Sequence, residues 1–106
     1  MSEFSVRYSS QALEDLSAVW DDVYEASREY DIADRYVDEL MAKISGKKAF
    51  PLSGSPLLYG DLFTGYYYVN YKAYKAFYRV KDGTIDVSRI IMCKRDFMKI
   101  LFEDIT

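Results

Sequence analysis

The sequence predicts an α+β fold: an N-terminal strand, a hairpin of two amphipathic helices, an antiparallel sheet packed against it, and a short C-terminal helix. Three observations carry that reading. In the first half, apolar residues recur every three or four positions, the period of a helix. From Leu57 onward the pattern becomes alternation in segments rich in tyrosine, valine and isoleucine, as strands require. The chain has 106 residues, half of them apolar, which suits a single domain spanning 1–106 with one modest core.

Each element follows from local signals. Glu3 to Tyr8 alternates, with Phe4, Val6 and Tyr8 on one side, and reads as a short strand. Ser9 and Ser10 offer an N-cap. Leu13, Leu16, Val19, Trp20 and Val23 then form the stripe of a helix running to about Arg28, with Glu14, Asp21, Asp22 and Glu25 on its other side. Asp31 is the expected cap of a second helix, with Asp34 in its first turn. Its stripe is Ala33, Tyr36, Val37, Leu40, Met41 and Ile44, and Gly46 is its stop. A link of only a few residues makes the two helices antiparallel neighbours.

Pro51 to Pro56 holds two prolines, two serines and a glycine, and reads as a loop. Leu57 to Phe63 is expected to be a first short strand, and Tyr66 to Tyr71 a second, following Gly65. Lys75 to Val80 forms the next, with Lys75, Phe77 and Arg79 facing one way and Ala76, Tyr78 and Val80 the other. Asp82-Gly83 is a hairpin signal, and Thr84 to Met92 is the returning strand. A short helix over Asp96 to Phe102 turns Phe97, Ile100 and Leu101 inward.

Composition narrows the function. No stretch approaches 18 consecutive apolar residues, so no spanning helix and no membrane role is expected. The first residues hold neither a basic region nor an apolar run, so a signal peptide is not expected. Cys93 is the only cysteine, which excludes an internal disulfide framework and points to a reducing, cytoplasmic setting. The net charge of -3 is unevenly placed. Residues 1–69 carry 6 basic and 12 acidic side chains, and residues 70–106 carry 8 and 5. An acidic protein is a poor general binder of nucleic acid, although the C-terminal part can present a local basic face.

The chemistry is sparse. There is no histidine, which removes the commonest acid–base group and metal ligand. One cysteine makes no zinc cluster, and Gly54, Gly60 and Gly65 lack the ending of a phosphate loop. No metal or cofactor is expected. Asp15, Asp21 and Asp22 read as a solvated helix face. The 11 tyrosines are the unusual feature, with Tyr66, Tyr67, Tyr68, Tyr71, Tyr74 and Tyr78 all in the sheet region. They fit packing of the core, a protein interface, or stacking on bases. Lys72, Lys75, Arg79, Arg89, Lys94, Arg95 and Lys99 converge if the meander folds as expected. Such charges suit a phosphate clamp, and Arg79 and Arg89 equally suit ion pairs with acids such as Asp86 or Asp96.

The order of elements and several motifs resemble the ParE/RelE superfamily of bacterial toxins. The opening strand and Ala12-Leu13-Glu14-Asp15-Leu16, the Ala33-Asp34-Arg35-Tyr36 of the second helix, and Pro51 with Gly54 carry the first part of the likeness. Tyr74 to Val80, Arg89-Ile90-Ile91 and Lys94-Arg95-Asp96 carry the rest. The long helix hairpin is closer to the ParE branch. The resemblance implies a type II toxin held inactive by an antitoxin encoded in an adjacent gene, with a homodimer as a possible assembly. It also implies one of two targets, DNA gyrase for relatives like ParE or messenger RNA on the ribosome for relatives like RelE.

Set against ribonucleases of the RelE kind, Lys75 stands where an arginine follows the first tyrosine of the central strand. The basic positions one strand earlier fall near Tyr66 and Tyr68, and the arginine of the terminal pair is kept as Arg95. The terminal acid–base position falls at Leu101, and Met92 stands at a position where many relatives have histidine. A binding toxin directed at gyrase is therefore the first expectation. A ribosome-dependent endonuclease is the second, with Lys75, Arg79 and Arg95 as the clamp and Tyr66, Tyr68 or Tyr71 as the proton-transfer group. A non-toxic relative that only binds an antitoxin is the third. The partner-binding residues expected are Tyr66, Tyr68, Tyr71, Lys75, Arg79 and Arg95.

Overall fold

The computed structural model describes residues 4–102, so the expected strand start at Glu3 lies outside the described residues. Strand β1 covers Ser5–Tyr8, and the helix hairpin is α1, Ser10–Ser27, followed by α2, Tyr30–Ser45. A short 3-10 turn, Pro51–Ser53, leads into β2, Ser55–Tyr59, and β3, Leu62–Tyr71. Strands β4, Tyr74–Lys81, and β5, Thr84–Met92, precede the final helix α3, Phe97–Phe102.

The four C-terminal strands form the expected antiparallel meander. β1 adds to it in parallel alongside β5, so the five-stranded sheet is mixed, in the order β1-β5-β4-β3-β2. Parallel neighbours need a crossover connection, and here the whole helix hairpin and most of the meander lie between the two paired strands.

β5 is longer than β1, which pairs only with Thr84 to Val87. α1 takes over the remaining edge. Ser9 caps α1 by accepting from the Ala12 N–H at 2.9 Å, and its hydroxyl donates to the Ser88 carbonyl at 2.8 Å. One turn further along α1, Asp15 accepts from the Ile90 N–H at 2.8 Å. A register shift in the β4–β5 pair turns the end of β5 toward this helix.

Each face of the sheet carries its own core. On the hairpin face, Leu16, Val19, Leu40 and Ile44 pack against Val69, Tyr74, Ala76, Tyr78, Ile85, Val87 and Ile90. On the opposite face, Leu101 of α3 packs with Leu57, Tyr66, Phe77 and Ile91. β4 lies between the two and is buried on both sides at Ala76, Phe77 and Tyr78. Gly54 lets the chain pass close to this centre. A methyl group there would collide with the Tyr78 hydroxyl, which donates to the Pro51 carbonyl at 2.6 Å.

Several local expectations change. Leu13 is 54% exposed, because Ala12 and Leu16 point more directly at the sheet. Glu29, with no side-chain cap bond, precedes α2, and Asp31 lies inside its first turn. The segment 57–63 is not one strand, since the chain reverses at Gly60-Asp61 between β2 and β3. Ser55 and Pro56, read as loop, begin β2. Pro56 is tolerated there because β2 is an edge strand. The Asp82-Gly83 turn forms as expected, with positive φ at both residues.

Candidate functional site

The sheet face opposite the helix hairpin collects four of the six expected partner-binding residues. Side-chain alternation sends Tyr66 and Tyr68 of β3 and Lys75 and Arg79 of β4 to this side. The Lys75 ammonium stands 4.6 Å from the centre of the Tyr68 ring and 5.9 Å from that of Phe97, and donates to Asn70 at 2.7 Å. The Arg79 guanidinium lies 4.3 Å over the Tyr66 ring and is exposed. Arg79 also lies opposite Asp86 in the strand ladder. The result is two cation–aromatic pairs side by side on adjacent strands. α3 roofs the sheet between them, with Phe97 against Phe77 and Phe102 edge-on to Tyr66.

Tyr71 is on the other face. Its hydroxyl donates to Glu39 of α2 at 2.6 Å, and its ring packs edge-on against Tyr36. Lys72 stands over both rings at about the same distance, 5.2 Å and 5.3 Å. Burial, and next its bond to Glu39, push the Tyr71 phenol up to about 12. Tyr74 is likewise pushed up to about 12, by burial first and then by the charge of Asp22, to which it donates at 3.4 Å. Both phenols hold their protons more firmly than a free tyrosine does.

Arg95 sits in the turn between β5 and α3 and is exposed. It lines a cleft with Asp15, Asp22, Tyr74, Arg89 and Ile100 that includes none of Tyr66, Tyr68, Lys75 and Arg79. Arg89 pairs with Asp15 in a two-pronged bond of 2.8 Å and 3.1 Å. Asp15 and Asp22 are therefore engaged with β4 and β5, where the sequence reading left them facing solvent. Spacing held the signal for Asp15, because position 15 lies three residues after Ala12 and next to Leu16, both buried.

Among the described residues no group of histidine, cysteine and acidic side chains is arranged to hold a metal ion. No helix among them is long and apolar enough to cross a membrane.

Solved structures share this arrangement. A chain of the chromosomal ParDE toxin–antitoxin system of P. aeruginosa superposes with a TM-score of 0.68 and 20% identity, covering 84% of this chain and 95% of that one. A chain of the RelBE2 toxin–antitoxin complex of Mycobacterium tuberculosis superposes at 0.54 with 22% identity, covering 90% and 97%. At such identities the likeness concerns the fold alone. No curated protein sequence matches the chain significantly. The profile of the family described as ParE toxin of type II toxin-antitoxin system, parDE, matches residues 6–97. The chain belongs to that family.

Proposed function

We propose that this toxin acts by binding a protein target, with DNA gyrase the leading candidate, and that an antitoxin encoded in an adjacent gene neutralises it in the cytoplasm. The observation that carries the reading is the burial of Leu101. The resemblance assigns to this position the terminal acid–base group of ribonuclease relatives. Here it is an aliphatic side chain, 8% exposed, in the core beneath α3. Two of the cations that would hold a phosphate, Lys75 and Arg79, stand against aromatic rings at the margins of that helix. Proton transfer by a positioned group is worth roughly 10²–10⁴-fold to a nuclease, and Tyr71 and Tyr74 lie on the other face of the sheet, bonded to Glu39 and Asp22. Purified protein is expected to inhibit supercoiling by gyrase. Full supercoiling at excess toxin overturns the assignment.

The exposed Arg79 favours a second reading, a ribosome-dependent endonuclease in which Lys75, Arg79 and Arg95 hold the phosphate and the part-exposed Tyr68 serves as the proton-transfer group. Primer extension on translated message would then show cuts inside the reading frame. Normal growth at high expression without the neighbouring gene would leave antitoxin binding as the only activity.

The antitoxin face is Tyr66, Tyr68, Lys75 and Arg79. It offers the positive charge of Lys75 and Arg79 and the part-exposed ring of Tyr68 to an acidic tail, with Tyr66 buried beneath as support, and an interface of this kind gains specificity and speed of encounter from charge complementarity.

A further inference from the structure

The helix hairpin carries an aromatic ladder near its loop end. Trp20 and Tyr24 lie one turn apart on α1 and stack at 5.3 Å with their planes 12° apart. Tyr30, the first residue of α2, stacks on Tyr24 at 4.8 Å and 21°. It also lies 5.8 Å from Trp20. The Trp20 indole N–H donates to Asp34 at 2.8 Å, which fixes the ring and sets a carboxylate beside it. Glu25 flanks Tyr24 on the other side. None of the three rings belongs to either core of the sheet.

Packing between the helices accounts for half-buried Trp20 and Tyr24. It does not account for Tyr30, which is 64% exposed. Tyr30 thus presents an open ring at the end of a stack whose other two members are half-buried, which distinguishes it from a scattered apolar residue. The charge around it selects the partner. Residues 18–39 contain eight acidic and two basic side chains, a net charge of -6, and all ten are exposed. One of the two arginines, Arg28, is already held by Glu25 at 3.7 Å. Such a surface repels nucleic acid. A guanidinium suits it, because that group stacks flat on aromatic faces and bonds carboxylates in a planar fork.

We propose that the hairpin tip is a docking surface for an arginine-bearing segment of a partner protein, with a guanidinium on the Tyr30–Tyr24–Trp20 ladder and the flanking carboxylates around it. This surface is opposite in charge to the Lys75–Arg79 face and lies on a different element. Occupation of one therefore leaves the other open, and the inference holds whichever target the toxin has.

Trp20 is the only tryptophan in the chain, so its emission reports on this surface alone. The full-length protein is titrated with an oligo-arginine peptide, with oligo-lysine of the same length, and with oligo-glutamate, exciting where tyrosine does not absorb. A saturable change in Trp20 emission is expected, tighter for arginine than for lysine and absent for glutamate. Tyr30→Leu leaves the charge and apolar bulk in place and removes the ring. It should weaken oligo-arginine binding about two- to fivefold, and Tyr30→Phe should restore it. Full affinity in Tyr30→Leu, equal binding of the two basic peptides, or an unchanged Trp20 emission overturns the proposal.

Discussion

Asp15 shows how one side chain can tie together distant parts of the chain. Its two oxygens serve the Arg89 guanidinium and the Ile90 N–H, so it supplies both a counter-charge and the edge bond that β1 is too short to provide. Replacing it by alanine removes the carboxylate bonded to a half-buried guanidinium and leaves the Ile90 N–H without its acceptor. Asp15→Ala is expected to destabilise the fold by about 2–3 kcal/mol, with Asp15→Asn milder because one acceptor remains; urea unfolding measures both. A second prediction concerns Tyr71 and Tyr74. Their phenols are raised in the folded chain from 10.0 to about 12. The native state therefore holds protons that the unfolded chain releases, and stability must fall as pH rises. The contribution is complete below pH 10, declines between 10 and 12, and is lost above. Denaturant midpoints should drop across that window. Tyr74→Phe, which cannot ionise, should flatten the drop.

At the scale of elements, the sequence was informative wherever a period was long. Both helices, the last two strands and the tight Asp82-Gly83 turn follow from spacing alone. It was less informative where a contact across the fold decided the outcome. Gly60-Asp61 is a weak turn signal inside an apolar run, so β2 and the start of β3 read as one strand. Leu13 matches the helical stripe, yet the orientation of α1, fixed by Ser9 and Asp15, leaves it outside. The pairing of Tyr66 with Arg79 and of Tyr68 with Lys75 follows from alternation. The same rule separates Tyr71 from them, and its attachment to Glu39 depends on how α2 lies over the sheet. The placement of Arg95 depends on the turn after β5, which has no periodicity to read. α3 is only six residues long and has little stability of its own. It is held by Leu101 in the second core, by two aromatic contacts, and by Asp96, which accepts from the Lys99 N–H. Leu101→Ala should cost about 2–3 kcal/mol. It should also release the amides of α3 to rapid hydrogen exchange while those of β4 stay protected.

Over the whole molecule, charge is separated by architecture. The exposed acidic residues cluster on the helix hairpin between positions 18 and 39, whereas Lys75 and Arg79 lie on the far side of the sheet and Lys94 and Arg95 in the turn after β5. An acidic antitoxin tail is thus steered toward one side and repelled from the other, and its association rate should fall as salt is added. Exchanging Lys75 and Arg79 together for alanine is expected to weaken antitoxin binding about tenfold and to flatten that salt dependence. Calorimetric titration at two ionic strengths checks both. Unchanged binding would move the interface to the acidic hairpin.

The pairing of the first strand with the last one also sets a schedule. The hydrogen bond from Ser9 to Ser88 spans 79 positions, and the β1–β5 ladder joins the two ends of the chain. Such long-range closures are slow and cannot begin until their later member exists. During synthesis the helix hairpin emerges early, but the centre of the sheet stays open until β5 has left the ribosome. The α3 roof over the cation–aromatic face is assembled last. The complete sheet therefore exists only once β5 has been made, and a partner that reads the finished fold has no surface to bind before then.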